Sequence, residues 1–217
     1  MCACWWARIV KRYQEIPVVT VLLLLSVPIQ LAVALILRLQ LGAPVMFRQI
    51  RAGKDGQKIV VPKYRTMTDG RDAAGALLPD DQRQTRLTRL IRRLRFDELP
   101  QLWLVLRGQM ALVGPRPLLP ETVAEFGALG RLRNSVAPGV TGWAQVNGNT
   151  RLSNSEKLAL DLWYVDRRRP GLDFRVMAET VMVPLRGEVR DPDRLFDATE
   201  WARSRFGPAL DQAAGAA

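Results

Sequence analysis

Two neighbouring carboxylates, Asp97 and Glu98, follow a stretch of chain that contains arginine but no acid. Six arginines and no acidic residue lie between Asp81 and Asp97. Because guanidinium groups favour the ionised form of a carboxylate, we expect Asp97 to be anionic at neutral pH and available as a nucleophile or a metal ligand. Adjacent helical residues do not share a face, so Asp97 and Glu98 can contact different atoms, for instance a phosphorus and a metal ion. The structural alternative is that Asp97 caps the following helix and Glu98 lies in its first turn.

A candidate anion-binding residue, Arg116, lies between the two prolines of the sequence GPRP at 114–117. Proline restricts the backbone, so an arginine held there loses less entropy when it binds a phosphate, and this arrangement suits recognition of a diphosphate. A rigid surface turn explains the same sequence equally well. Lys63, Arg65 and Arg133 are further candidates for the same anion-binding site.

The composition excludes several kinds of catalytic centre. The 217 residues include no histidine, 32 basic and 21 acidic side chains with a net charge of +11, and two cysteines, Cys2 and Cys4. No Ser-His-Asp triad, Cys-His dyad or His-ligated zinc site can be built from these residues. The cysteines are too close together for ordinary disulfide geometry and too few for a metal cage, and we predict that both are inert. Acid, base, nucleophile and metal-ligand roles therefore fall to Asp, Glu, Lys, Arg, Ser, Thr or Tyr.

An apolar segment that we expect to enter a membrane precedes these residues. Residues 16–37 carry no charge, and 22 residues at about 1.5 Å each are enough to cross a hydrocarbon layer of about 30 Å as a helix. Basic residues flank the segment on both sides, which favours the cytoplasmic side for both ends. Ser26 and Pro28 lie near its middle, where proline permits a sharp kink. Charge and proline alone support a re-entrant helix and a spanning helix equally.

The elements that must position the candidate residues are predicted as short strands followed by helices. Residues 42–67 are interrupted by glycine and proline and indicate extended pieces and loops. Residues 85–95 form a basic amphipathic helix that lies either on anionic lipid or, as a solvated surface helix, on the protein's own core. Contact with nucleic acid is the weakest interpretation, because a nucleic-acid-binding protein needs no bilayer segment. A short helix over 100–108 places Asp97 and Glu98 at the seam between two helices.

The C-terminal half is predicted to be mostly helical. Residues 155–167 and 174–185 have helical apolar spacing. After Arg186 the composition changes to Asp, Arg and finally Ala and Gly, which predicts a loosely ordered tail.

Seven motifs occur in the order found in bacterial sugar transferases. The chain resembles the small monotopic polyprenyl-phosphate phosphoglycosyl transferases from about residue 8 to residue 187, and we expect it to correspond to their catalytic core alone. The motifs are KRYQE (11–15), PVMFRQ (44–49), KYRTM (63–67), FDELPQL (96–102), LVGPRPL (112–118), PGVTGWAQVNG (138–148) and LDLWYVD (160–166).

This resemblance implies an activity. Members of the family transfer a sugar-1-phosphate from a UDP-sugar to undecaprenyl phosphate, release UMP and require Mg²⁺. The resemblance implies that Asp97 is the nucleophile that forms a covalent phosphosugar intermediate, and that Glu98 is associated with the metal, with both acids as candidate Mg²⁺ ligands. Arg92, Arg116 and Lys63 correspond to basic residues of the family's site. We assign no catalytic role to Asn134, which occupies a position where the family commonly has histidine.

The resemblance also implies an architecture. We expect a mainly α fold with short β pieces, with an N-terminal re-entrant membrane hairpin at 1–41 and a catalytic domain at 42–187 that has interfacial amphipathic helices. Residues 188–217 are predicted as a C-terminal extension with a partly disordered tail. The expected location is the cytoplasmic face of the bacterial inner membrane, with membrane lipid as a partner, a second copy of the chain as a further candidate partner, and no nucleic acid. The alternative from a different class is a non-enzymatic basic scaffold on the membrane surface, and neither interpretation identifies the sugar.

Overall fold

The computed structural model describes the backbone of residues 2–215 and the side chains of residues 10–210 and of Ala213. The side chains of Cys2 and Cys4 lie outside the described residues, so their predicted inertness stays a prediction. Helices account for most of the described chain, and the strands are short pairs. The predicted mainly α class with short β pieces is confirmed.

The apolar segment forms one helix, α1 (Cys2–Leu41), that contains Pro17 and Pro28. The helix-break-helix predicted around Ser26 and Pro28 differs from this structure, in which the helix is uninterrupted. A proline removes only one backbone donor from a helix, and local side chains support the turns around it. Ser26 Oγ donates a hydrogen bond to the carbonyl oxygen of Leu23 at 2.9 Å, and Ser26 itself is buried. Packing on both sides of the proline therefore maintains the helix.

Between Val10 and Leu41, one face of α1 carries the buried residues, and the opposite face is exposed. Val19, Ser26, Val33 and Leu37 are buried, and they are spaced by about one or two helical turns. Leucines on the other face are about two-thirds exposed or more, among them Leu24, Leu25, Leu31 and Leu39. Val10–Leu41 is the one helix, among the described residues, that is long and apolar enough to cross a membrane. Because exposed leucines in such a density are unfavourable in water, this face requires an apolar environment.

An antiparallel hairpin follows α1 and confirms the extended structure predicted between residues 42 and 67. It consists of β1 (Met46–Ala52) and β2 (Lys58–Tyr64), and Phe47 lies opposite Lys63. The last residue of β2, Tyr64, is buried and donates a hydrogen bond to the carbonyl oxygen of Gln30 in α1 at 3.1 Å. The hairpin is thereby attached to the middle of the long helix.

The acid pair lies in a tight turn between two short helices. The basic helix predicted at 85–95 is observed as α2 (Arg86–Arg93), with Thr85 and Thr88 forming a capping box. A 3₁₀ helix then covers Phe96–Gln101, and α3 covers Leu102–Leu106. The helix that was predicted to start at Pro100 thus starts at Phe96. Asp97 and Glu98 therefore lie in its first turn and do not precede it.

Two short parallel strands bring the GPRP turn and the PGVTGWAQ segment together. Strand β3 (Ala111–Val113), which directly precedes the GPRP turn, pairs with β4 (Gly139–Thr141), and the sequence analysis predicted neither strand. Gly114 and Gly139 allow this close approach, because a Cβ on Gly139 would lie 2.1 Å from the backbone nitrogen of Gly114. The position of the GPRP turn is therefore set by backbone contact.

The remaining helices enclose the core. The structure has helices where 155–167 and 174–185 were predicted, as α7 and α8, and adds short helices before them. Buried residues of α7 and α8 include Leu160, Tyr164 and Val176, which belong to the same cluster as Val19 of α1. The bounds are α4 Pro120–Glu125, α5 Gly127–Arg133, α6 Trp143–Val146, α7 Asn154–Arg167, α8 Pro170–Arg186, α9 Pro192–Phe206 and α10 Pro208–Gly215.

Residues 192–210 form packed helices, which corrects, for this part of the chain, the loosely ordered tail predicted after Arg186. Helices α9 and α10 bury Ala198, Ala202 and Leu210, and Ala202 and Leu210 contact a cluster that contains Leu158 and Leu162 of α7. Alanine gives little periodic signal in a composition-based argument, but it permits the close approach of two helices. The predicted domain boundaries at 41/42 and 187/188 stay predictions.

Candidate active site

Glu98 is the buried anchor of a cluster of positive charges. Its side chain is nearly inaccessible, and its Oε1 accepts hydrogen bonds from Lys63 Nζ at 2.9 Å and from Arg116 Nη2 at 2.7 Å. Arg95 Nη1 lies 3.8 Å from the other carboxylate oxygen. Strand β2, the GPRP turn and the turn that follows α2 thus each contribute one cation to a single carboxylate. Among the predicted site residues, Lys63, Arg116 and Glu98 are brought into direct contact.

Asp97 lies beside this cluster but is not part of its ion pairs. It is half-buried in the same 3₁₀ turn, and within the described residues it forms no ion pair of its own. Lys63 and Arg92 are the cations whose charge acts on it. The carboxylate of Asp97 is therefore available for contact with a substrate or a cation, whereas that of Glu98 is already engaged.

The two acids have pKa values that differ in opposite directions from their ordinary values. Burial, together with the negative charge of Glu98, raises the pKa of Asp97 to about 6, against the opposing effect of Lys63 and Arg92. Burial also acts to raise the pKa of Glu98, but the charges of Arg116, Lys63 and Arg95 outweigh it and lower that pKa to about 2. Neighbouring acids with separated pKa values are typical of sites in which the two groups have different tasks.

The main influence on the pKa of Asp97 is burial and not the neighbouring arginines, but Asp97 is still mostly ionised at neutral pH. The arginine-rich run was expected to favour ionised Asp97 strongly, but Arg92 and Arg93 are exposed and Arg93 contacts the carbonyl oxygen of Pro184. Burial therefore has the larger effect on the pKa of Asp97. With a pKa of about 6, Asp97 is still about nine-tenths ionised at pH 7.

Arg133 supports the site from behind. Its guanidinium is 2% exposed, pairs with the buried carboxylate of Asp161 at 2.7 Å, and donates a hydrogen bond to the carbonyl oxygen of Arg116 at 2.6 Å. Arg133 was predicted to bind substrate, but every contact that it makes is internal. It holds the backbone of the GPRP turn, and through it the side chain of Arg116.

Arg65 is also directed away from the acid pair. Its Nη2 donates hydrogen bonds to the carbonyl oxygens of Leu41 at 2.5 Å and Gly42 at 3.2 Å, and its Nη1 pairs with Asp69. These contacts attach the end of α1 to the hairpin. The structure therefore places Arg65 in a connecting role and not beside Asp97 and Glu98.

Two residues near the acid pair were not predicted as site residues. Arg95 adopts a left-handed backbone conformation, with φ of 58°, which turns the chain between α2 and the acid pair. Glu188 accepts hydrogen bonds from the side chains of Asn149 and Thr150, and its charge acts on Arg116. Nothing in the sequence around Glu188 signals this position, since 38 residues of chain separate it from Thr150.

Asn134 connects two parts of the fold through its side chain. It is buried, accepts a hydrogen bond from Arg133 at 3.1 Å, and donates one to the carbonyl oxygen of Gly53 at 3.3 Å. These contacts connect α5 to the tip of the hairpin.

The acid pair is compatible with a magnesium ion only if a substrate completes the coordination. Within the described side chains, no group of three acidic, histidine or cysteine residues converges on one point. Mg²⁺ is commonly held by one or two carboxylates together with substrate phosphates and water. Asp97 supplies a carboxylate without an ion-pair partner, and Glu98 supplies the oxygen that does not accept from Lys63 and Arg116. The residues present fit a cation that arrives with a phosphorylated substrate.

Comparison with known proteins agrees with the motifs and the site. The bacterial sugar transferase family matches residues 6–187. The chain is 44% identical over 173 residues to the uncharacterized sugar transferase EpsL of Bacillus subtilis, a match that covers 80% of this chain and 86% of EpsL.

Two larger relatives have names that state a reaction. The chain is 40% identical over 190 residues to the undecaprenyl-phosphate glucose phosphotransferase of Komagataeibacter xylinus, and 35% identical over 184 residues to the UDP-glucose:undecaprenyl-phosphate glucose-1-phosphate transferase of Escherichia coli. These matches cover 81% and 80% of this chain but only 36% and 40% of the two relatives. The chain thus corresponds to less than half the length of each of these relatives. From the match over most of its length and the geometry of its acid pair, this chain belongs to the bacterial sugar transferase family.

Proposed function

We propose that this protein is a phosphoglycosyl transferase that transfers a sugar-1-phosphate from a UDP-sugar to undecaprenyl phosphate and releases UMP. The observation that carries the proposal is the difference between the two carboxylates. Asp97 has no ion-pair partner among the described residues, whereas Glu98 is held by Lys63 and Arg116. The reactions named for the Escherichia coli and Komagataeibacter relatives support the choice of substrates. By the same likeness, the product enters the assembly of a polysaccharide or glycoconjugate, as the name of a Rhizobium exopolysaccharide production protein also suggests.

The first half-reaction forms a covalent bond to Asp97. One of its carboxylate oxygens attacks the β-phosphorus of the UDP-sugar, and the bond from that phosphorus to the bridging oxygen breaks. UMP leaves with the electron pair of that bond, and the sugar phosphate remains attached to Asp97. Lys63 and Arg116 neutralise charge on the diphosphate, because both are held beside the nucleophile by Glu98 before substrate arrives.

The second half-reaction restores the carboxylate. A phosphate oxygen of undecaprenyl phosphate attacks the same phosphorus, and the bond from Asp97 to phosphorus breaks. The products are a diphosphate-linked lipid sugar and ionised Asp97. An acid with a pKa of about 6 is a better leaving group than a hydroxyl, which has a far higher pKa, so an aspartyl intermediate can be resolved by a weak phosphate nucleophile.

Mg²⁺ is part of this proposal as a cofactor. Asp97 and Glu98 would hold it together with phosphate oxygens of the donor. When bound, the ion would supply positive charge to the diphosphate and stabilise the leaving UMP. The roles of the protein groups described above are the same in its presence.

We also propose that the protein is monotopic, with both ends of α1 on the cytoplasmic face of the bacterial inner membrane. Lys11, near one end of the helix, donates a hydrogen bond to the carbonyl oxygen of Val113 at 2.8 Å, and Leu37, near the other end, is buried against the same folded body. Because α1 is continuous and both Lys11 and Leu37 contact one folded body, these contacts support a shallow path along the membrane surface over a crossing that would place them on opposite sides. The exposed leucines of α1 would then lie in the acyl layer, with Leu90 of α2 and Leu185 of α8 at the interface.

The reaction is tested with a panel of UDP-sugars and undecaprenyl phosphate in detergent micelles, by measuring UMP. We expect wild-type protein to release UMP with at least one donor and Asp97→Asn to release none. Asp197→Asn is the matched control. Asp197 is exposed on α9, and its replacement by asparagine removes the same single negative charge. After an acid quench, intact-protein mass spectrometry detects the mass of one sugar phosphate on wild-type protein incubated with donor alone.

Two outcomes contradict the proposal. Near-normal UMP release by Asp97→Asn would remove the covalent mechanism. Vesicle binding that decreases steadily with salt, without UMP release from any donor, would instead support the non-enzymatic membrane scaffold.

A further inference from the structure

A cavity lies between the N-terminal part of α1 and the start of α8, lined by residues other than those of the acid pair. Its volume is about 600 Å³, within the range of sites that hold small molecules. Most of its wall is apolar, and Val18, Val105, Met110, Phe174 and Met177 are among the lining side chains. Asp97, Glu98, Lys63 and Arg116 do not line it. The cavity is therefore a candidate binding site in its own right.

The charged residues of this cavity have an excess of three positive charges. Five cations and two carboxylates line it. Both carboxylates are already engaged: Asp173 pairs with Lys11 at 2.8 Å and accepts a hydrogen bond from Tyr164 at 2.6 Å, and Glu15 accepts one from the backbone of Leu112 at 3.0 Å. Lys54 also has a carboxylate partner, Asp55 at 3.0 Å, so a ligand at the cavity meets chiefly the charges of Arg12 and Arg169.

Arg12 and Arg169 are the clearest candidates to bind an anionic group. Both are exposed, and neither forms an ion pair within the described side chains. The guanidinium of Arg12 lies directly over Gly108, where a Cβ would be 2.2 Å from its Nη1. Gly108 thus leaves room for this side chain to lie against the protein at the cavity.

The cavity also adjoins the apolar exposed face of α1. Val18 lines the cavity and is 45% exposed, and Val21 and Leu22, on the next turn, are also exposed. Val18 belongs both to the cavity wall and to the exposed apolar face of α1, so the two apolar surfaces meet at this residue. An apolar wall next to unneutralised cations is complementary to an anionic amphiphile.

We propose that this cavity binds one anionic phospholipid, with an acyl chain inside it and the phosphate between Arg12 and Arg169. The acceptor lipid of the proposed reaction is a poorer fit, because its phosphate must reach the phosphorus carried by Asp97. The proposal is independent of the transferase activity. It assigns the cavity to a resident lipid that attaches the start of α1 and the start of α8 to the membrane.

The test is native mass spectrometry of the full-length protein released from micelles that contain added lipid. Dioleoylphosphatidylglycerol and dioleoylphosphatidylcholine are compared, since they share acyl chains and differ in charge. We expect wild-type protein to retain one phosphatidylglycerol in preference to phosphatidylcholine. Arg12→Gln with Arg169→Gln should lower this affinity by about 25-fold, since one basic residue near a lipid surface contributes about fivefold.

Two further variants test position and shape. Arg48→Gln with Arg131→Gln is the control with the same loss of charge, because both arginines are exposed and outside the cavity, and it should retain the lipid. Ala137→Trp places an indole in the cavity and should prevent retention of either lipid. Val136→Phe serves the same purpose if Ala137→Trp fails to fold, as judged by circular dichroism.

Three results would overturn the proposal. The first is equal retention of phosphatidylglycerol by wild-type protein and the folded cavity-filling variant. The second is an equal loss of affinity in the two double-arginine variants, which would indicate a general charge effect. The third is displacement of phosphatidylglycerol by equimolar undecaprenyl phosphate, which would assign the cavity to the acceptor.

Discussion

Replacing Asp97 by asparagine should stabilise the fold while it removes the proposed activity. The pKa of Asp97 is raised from an ordinary value of 3.8 to about 6, so its ionised form is disfavoured in the folded protein. At about 1.4 kcal/mol for each pH unit, ionised Asp97 costs about 3 kcal/mol of stability at pH 7. An asparagine side chain has nearly the same shape as aspartate and no charge. We therefore expect the free energy of unfolding to increase by about 2–3 kcal/mol, which corresponds to a Tm higher by about 5–10 °C.

The same two pKa values of Asp97 determine how the difference in stability between the wild-type protein and Asp97→Asn depends on pH. Below pH 3.8 the acid is protonated in both the folded and unfolded states, and the two proteins should differ little in stability. Between pH 3.8 and about 6 the unfolded state loses its proton first, so the wild-type protein loses stability relative to Asp97→Asn as the pH rises. Above about pH 6 the difference should be constant. Urea unfolding in detergent micelles at a series of pH values, followed by circular dichroism, measures it.

Glu98→Gln should have the opposite effect. The pKa of Glu98 is lowered from 4.5 to about 2, so its ionised form stabilises the fold by about 3 kcal/mol at pH 7. This contribution is present above pH 4.5 and is lost as the pH falls through 2. Glutamine leaves Lys63 and Arg116 without a negative partner, and the free energy of unfolding should decrease by a similar amount.

The decisive measurement compares the free energies of unfolding of Asp97→Asn and Glu98→Gln at pH 7. Asp197→Asn, on the exposed face of α9, should change the free energy of unfolding by less than about 0.5 kcal/mol. If Asp97→Asn and Glu98→Gln both destabilise the protein at pH 7, the assignment of opposite electrostatic environments to the two acids is wrong.

Three further substitutions test how the site is built. Lys63→Gln removes a charge that lowers the pKa of Asp97, so the acidic limb of the pH profile of kcat/KM for UMP release should move to higher pH; an unchanged limb would contradict the role of Asp97 as the titrating nucleophile. Arg133→Ala leaves a buried carboxylate unpaired and should lower the free energy of unfolding by about 3–5 kcal/mol in urea, and a loss below about 1 kcal/mol would show that the pair is not buried in solution. Gly139→Ala should abolish UMP release and broaden thermal unfolding, because its Cβ would overlap the adjacent backbone, while Gly171→Ala, which has open space around it, should behave as wild type.

The helices of this protein were largely predictable from local sequence. Apolar spacing indicated α2, α7 and most of α8, since an amphipathic helix carries its pattern within a few turns of chain. The helices after Arg186 were not predicted, because two of the three buried positions of α9 are alanines, which give little apolar contrast. Their burial against α7 becomes evident only when the partner surface is known.

The arginines show why the site could be predicted only in part. The flanking prolines singled out Arg116 in the sequence, and Arg65 and Arg133 were further candidates for the same anion-binding site. In the structure, Arg116 contacts Glu98, whereas Arg133 pairs with Asp161 and Arg65 with backbone carbonyls of residues 41 and 42. Which carboxylate an arginine meets depends on contacts between distant parts of the chain.

The amino-acid sequence by itself determined the long apolar segment, the absence of histidine chemistry and the neighbouring acids of the proposed reaction. These properties depend on residue type and on spacing within a few residues. The tertiary structure alone decided that Asp97 and Glu98 have opposite pKa changes, that α1 is continuous, and that Glu188 lies near Arg116. Burial and long-range charge cause these effects, and neither exists until the chain has folded.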